Sequence, residues 1–185
     1  VVRGPRDGFV ENIRTNIALI RRRLRHPNLR VESLVVGDIT NTHVSVLYID
    51  GVVNSKLVAE VRERIKRIKI DGVLEGHYLE AMIEDNPFSP FPQLWSTERP
   101  DTVVADLLEG RVSILTDGTP FALTVPLGFA TLLQSPEDYY QRWSLSLFLR
   151  PFRYLGLGIS AFLPALYVAI TTYHQEMLPT PLLIS

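Results

Sequence analysis

Residues 154–173 read YLGLGISAFLPALYVAITTY, twenty positions without one charge. Coiled as an α-helix at about 1.5 Å per residue, such a run reaches about 30 Å, the thickness of bilayer hydrocarbon. Tyr154 and Tyr173 at its ends suit the headgroup layer, and Gly156, Gly158, Ser160, Ala161 and Pro164 are the small and kinking residues by which membrane helices approach one another. The competing reading is a core helix closing a soluble domain, which the two threonines near the end keep open; length and lack of charge favour the span. Arg142, Arg150 and Arg153 precede the run, whereas only His174 and Glu176 follow it closely, so the positive-inside rule puts the preceding domain in the cytosol. Residues 142–153 are expected to lie along the interface as an amphipathic segment, with Trp143, Phe148 and Phe152 among the headgroups and Arg150 toward phosphate. Residues 174–185, with Pro179 and Pro181, read as the start of a further membrane segment.

A chain of 185 residues leaves room for one ordinary domain ahead of that run. Cysteine is absent, which excludes disulfides, thiol catalysis and cysteine-held metals. Charge is uneven: residues 1–30 hold eight arginines against Asp7 and Glu11, so the remainder is acidic. Residues 1–6 do not have the pattern of a secretory signal, and the start without methionine reads as an excised piece.

Residues 1–141 are expected to form an α/β (α+β) domain with a mixed or antiparallel sheet and flanking helices. Apolar residues at roughly helical spacing predict a helix over 11–25, ended by Pro27. The β-branched runs 31–36 and 44–49 predict two strands, a hairpin. Asn54 is placed to cap a helix over 55–68, where Leu57, Val58, Val61, Ile65 and Ile68 recur at three and four residues. A short element, helix or strand, is expected over 78–83, a proline-rich loop over 86–100, a helix over 101–109, and strands 111–116 and 121–125 joined by an Asp117-Gly118 hairpin turn. Residues 127–133 and a helix start at Ser135 then lead toward the membrane run.

Patterns that carry chemistry are weak. The arginine run 21–25 lacks interleaved aromatics, so a solvated face, intramolecular pairing or anionic lipid is expected ahead of nucleic acid. Arg3-Gly-Pro-Arg-Asp-Gly matches neither phosphate-loop pattern and reads as a turn. The four histidines, His26, His43, His77 and His174, show no ligand spacing, the paired acids Glu84-Asp85 and Glu137-Asp138 point apart, and no serine sits in a nucleophile elbow, so neither catalysis nor a cofactor is expected. The stretch 83–93, IEDNPFSPFPQ, is stiff and carries Phe88 and Phe91; it is expected to pack on its own domain, with a subunit contact as the lesser reading.

Several blocks bear a family resemblance: RGPRDGFVE at 3–11, IEDNPFSPFP at 83–92, TERPD at 97–101, LEGRV at 108–112, GTPF at 118–121, SPEDYY at 135–140 and LPALYVAI at 163–170. In content and order they resemble the A subunits of GerA-type spore germinant receptors over essentially the whole chain. The resemblance implies a receptor subunit in the inner membrane of the bacterial spore, its soluble part on the cytoplasmic side, assembling with B and C subunits and with further A subunits while touching the lipid bilayer, and coupling nutrient sensing to ion release. It implies that residues 1–141 are the second of two N-terminal subdomains. An accessory sporulation protein of the same superfamily and a soluble small-ligand module are the alternatives. Residues placed to serve assembly or coupling are Arg3, Arg6, Asp7, Asn86, Phe88, Phe91, Glu98, Arg99, Glu109, Arg111, Trp143, Arg150, Arg153 and Pro164, the last as a bending point.

Overall fold

The computed structural model describes residues 5–86, 88–133 and 143–173; for 143–146 only the backbone is described. It divides into two compact units, residues 5–128 and a second that contains the described residues 129–173.

The first unit is a five-stranded sheet with helices on both faces. Its strands are β1 (Leu29–Val36), β2 (Thr42–Ile49), β3 (Trp95–Thr97), β4 (Val112–Thr116) and β5 (Ala122–Val125), in spatial order β1-β2-β4-β5-β3. Every neighbouring pair is antiparallel. Side chains alternate across a strand, so each strand feeds two cores. Val44 and Val46 of β2, Val112 and Ile114 of β4 and Leu123 of β5 face α2 (Ser55–Arg67) and α3 (Gly76–Ile83), which contribute Val58, Val61, Ile65, Leu79 and Ile83. Leu47, Ile49, Leu115 and Ala122 face the other way, onto α1 (Ile13–Arg23) and α4 (Pro100–Leu108), which contribute Ile13, Ile20, Val103 and Leu107. Covered on both sides, β4 is buried at all five positions.

Local chemistry sets the helix ends. The Asn12 side chain accepts the Arg14 and Thr15 N–H groups, which starts α1 two residues later than the apolar spacing suggested. Asn54 caps α2 as expected, and Pro100 opens α4 where its missing N–H costs nothing. The element over 78–83 is helix α3.

One of these expectations is corrected and another is borne out. The proline-rich loop holds a strand, β3, whose three residues pair with β5 from Trp95↔Thr124 to Thr97↔Ala122. The expected hairpin of β4 and β5 forms: the last pair of its ladder is Leu115↔Ala122, and Asp117 and Gly118 turn the chain between the strands. Asp117 has a second use: its N–H reaches the His43 carbonyl at 2.9 Å, and its carboxylate accepts the Ile13 N–H at 3.0 Å. That supplies the acid missing from the first turn of α1.

In the second unit α5 (Phe129–Leu132) is one turn, and α6 (Trp143–Tyr173) is a single 31-residue helix with Pro151 and Pro164 inside it. The stretch Leu147–Tyr173 is long and apolar enough to cross a membrane, with a mean hydropathy of 1.7 in its best window, none of which is buried. The structure thus does not place this stretch as a core helix. Ser160 and Thr171 turn their hydroxyls onto the Leu157 and Tyr167 carbonyls at 2.9 Å, so these polar groups on an apolar helix are bonded within it. The helix start expected at Ser135 and the segment 174–185 lie outside the described residues.

Candidate assembly surface

Four side chains fix the loop that follows α3. Arg64 of α2 donates through Nη1 to the Ile83 carbonyl at 2.7 Å, satisfying an orphan acceptor at the end of α3. Its Nε bonds Glu60 at 2.7 Å, and its other terminal nitrogen pairs with Asp85. Gln93 closes the loop from the far side: its Oε1 accepts the Asp85 N–H at 2.8 Å, and its Nε2 donates to the Asn86 carbonyl at 2.8 Å. Within the loop, Asn86 Oδ1 accepts the Phe88 N–H at 3.2 Å, and Ser89 Oγ accepts the Phe91 N–H at 3.2 Å.

With its polar groups bonded internally, the loop presents its rings outward. Phe88 is 95% exposed and Phe91 61% exposed. The expectation that this stretch packs on its own domain is thus corrected, because Gln93 and Arg64 hold it as a preformed knob. Beside it, between α2, the loop itself and the end of β5, runs a groove walled by Leu57, Val61, Ile83, Leu94 and Val125 and rimmed by Glu60 and Arg64. Neither Arg64 nor Gln93 was expected to take part; a glutamine in a proline loop carries no sequence signal of a clamp.

The other expected residues are mostly engaged inside the domain. Asp7 pairs with Arg22 and with Arg23, the latter at 3.0 Å, which settles part of the arginine run as intramolecular pairing. Glu98 is tied to the N-terminal block through its carbonyl, which accepts the Phe9 N–H at 2.8 Å, while Arg99 pairs with Asp101 at 2.7 Å. Gly118 closes on the same block, its N–H on the Glu11 carbonyl at 2.8 Å. Three of the sequence blocks therefore meet in space. Arg6 is exposed, Arg3 and the Trp143 side chain lie outside what is described, and Pro164 is exposed on α6. Arg150 is half-buried, and Arg153 donates to the Leu133 carbonyl at 3.2 Å.

Glu109 and Arg111 form a pair at 2.8 Å around a third residue that sequence reasoning missed, Asp106. Asp106 is buried and lies 3.2 Å from Arg111. Burial pushes its carboxyl up to about 6, with Glu109 adding to the rise while Arg111 and a hydrogen bond from Thr124 oppose it. On the opposite face of the sheet Glu32 accepts two bonds from Arg62, at 2.7 and 2.8 Å, and one from the Tyr48 hydroxyl at 2.6 Å. The Arg62 bonds hold Glu32 below its usual range, and Glu32 in turn raises Tyr48. Both clusters knit elements together. Among the described residues no group of histidines and acids is arranged to hold a metal ion.

Against known proteins, residues 1–185 match the family model described as Bacillus/Clostridium GerA spore germination protein. "Spore germination protein KA" of Bacillus subtilis (strain 168) is 49% identical over 182 residues, 98% of this chain and 34% of that one. "Uncharacterized membrane protein YfkQ" of the same organism is 50% identical over 184 residues, 100% of this chain and 36% of the relative. The chain thus spans about a third of the length of these relatives. Among solved structures, the N-terminal domain of the A subunit of the Bacillus megaterium spore germinant receptor GerK3 is 48% identical and superposes with a TM-score of 0.54, covering 66% of this chain and 98% of that one.

Proposed function

The chain belongs to the GerA spore germination family, and from that premise we propose that it is the assembly and coupling part of a germinant receptor A subunit. In this reading residues 5–128 lie on the cytoplasmic side of the inner spore membrane and contact B and C subunits and further A subunits, while α6 enters the bilayer. Nutrient occupancy in a partner shifts the packing of the soluble domains. The N-terminal part of α6, with Arg150 and Arg153, relays that shift toward Pro164. Proline lacks the N–H that would bond the Ser160 carbonyl, so the helix has a bending point in its uncharged stretch.

The observation that carries the assembly reading is Phe88, 95% exposed on a loop whose shape is already fixed by Gln93 and Arg64. A preformed aromatic knob loses little entropy on docking and offers roughly 150–200 Å² of surface to bury, the profile of an interface anchor. The test is germination of spores whose only copy of this subunit carries Phe88→Ala. Subunit levels in spore membrane extracts should be normal, and the nutrient response should fall at least about tenfold, as loss of one anchor residue implies. A normal response would remove the loop from the assembly.

A further inference from the structure

The outer face of α1 is basic beyond what the domain uses. Arg14, Ala18 and Arg21 fall on one exposed line, four and three residues apart, with Arg22 beside them and Arg25 just past the helix end. Arg22 and Arg23 pair with Asp7. Among the described residues no carboxylate lies in ion-pair range of Arg14, Arg21 or Arg25. The arginines of the last turn complement the helix dipole, but Arg14 sits in the first turn, where a cation opposes it and where α1 has no acid of its own. Helix stability therefore does not explain the stripe. Nor does it resemble the centre of a protein interface, which is depleted in charge and rich in aromatic and apolar side chains; here the one apolar residue on the line is Ala18. A row of guanidinium groups without an inserting apolar edge fits a flat, polyanionic surface.

We propose that this face of α1 lies against anionic lipid headgroups at the surface of the membrane that α6 enters. The inference rests on the membrane reading of α6, whose tether holds the domain at high effective concentration beside the bilayer. Each arginine near an anionic surface shifts such an equilibrium about fivefold, and the attraction is screened by salt.

The chain has no cysteine, so Ala18→Cys provides a unique site for a fluorescent label. The labelled chain is reconstituted in nanodiscs of phosphatidylcholine alone or of phosphatidylcholine with phosphatidylglycerol, and its quenching by a water-soluble collider is measured. Quenching should drop several-fold in the anionic discs, and the drop should vanish at high salt and in the Arg14→Glu, Arg21→Glu double variant. Equal quenching in both discs, whether high or low, would overturn the proposal, low quenching in both pointing instead to cover by protein. A label at Ser160→Cys separates the premise from the inference. It should be shielded in both discs, and if it is open to the collider the membrane reading of α6 falls and this inference with it.

Discussion

Gln93 and Asn86 are bonded twice across the proline-rich loop, Nε2 to the Asn86 carbonyl at 2.8 Å and the Asn86 N–H to Oε1 at 3.4 Å. The pair ties the two ends of the segment together, and the rings of Phe88 and Phe91 between them are exposed.

Gln93→Ala removes that clamp and leaves the Asp85 and Asn86 N–H groups without it. The expected cost is about 1 kcal/mol in urea unfolding, with faster amide exchange at Asp85. Phe88→Ala should change stability by less than about 0.5 kcal/mol, because an exposed ring holds nothing in its own domain. Equal losses for the two variants would mean that Phe88 packs internally.

Asp106 gives a pH dependence of unusual sign. Its carboxyl titrates at about 6 in the folded domain, above the 3.8 of an ordinary aspartate, so folding favours the protonated form. The stability it contributes is complete below about pH 4 and is lost as pH rises through 6, by up to about 3 kcal/mol. Asp106→Asn should gain on the parent protein across that window in urea titrations at stepped pH. Parallel curves would contradict the assignment.

Glu32 works in the opposite direction. Arg62 holds its carboxyl low, so its contribution is present above the ordinary glutamate range and lost as pH falls through the lowered value. Both partners are partly exposed, which limits Arg62→Gln to a loss of about 1 kcal/mol near neutral pH. The loss should shrink in acid; a cost that persists there would mean that Arg62 acts through packing.

Gly110 and Gly51 separate two causes of glycine's presence. Both have φ between 80° and 90°, yet a Cβ on Gly110 would lie 2.9 Å from the Val52 carbonyl oxygen while one on Gly51 meets nothing within 4 Å. Gly51→Ala should cost about 1 kcal/mol from the left-handed backbone alone, and Gly110→Ala at least about 2, read as Tm shifts. Equal costs would show that the contact with Val52 relaxes freely.

Much of the sheet and its helices was legible because their signals are local: β-branched runs in β1 and β2, three-and-four spacing in α2, and Asn54 before α2. Strand β3 was not, since three residues among prolines become a strand only through the backbone of β5. Asp117-Gly118 was legible as the hairpin turn, but its second use, accepting the Ile13 N–H at the start of α1, depends on a helix about a hundred residues earlier and was not. Asp106 is hidden because an acid in a short helix is ordinarily solvated, and only the position of Arg111 and the sheet explains its burial. Asn16 could have been found: a polar residue on the apolar stripe between Ile13 and Ile20, it is buried and bonds Val10 through both its amide atoms, at 2.9 and 2.6 Å. Phe88 and Phe91 were expected against their own domain; they are exposed because Gln93, Asn86 and Ser89 hold the backbone of their loop in place.

The most direct measurement places a photocrosslinking amino acid at position 88 of the full-length subunit in sporulating cells and identifies what it captures. The account predicts an adduct with another subunit of the same receptor, weakened when Gln93→Ala loosens the loop. A residue 88 that captures only its own chain, in spores that germinate normally, would contradict it.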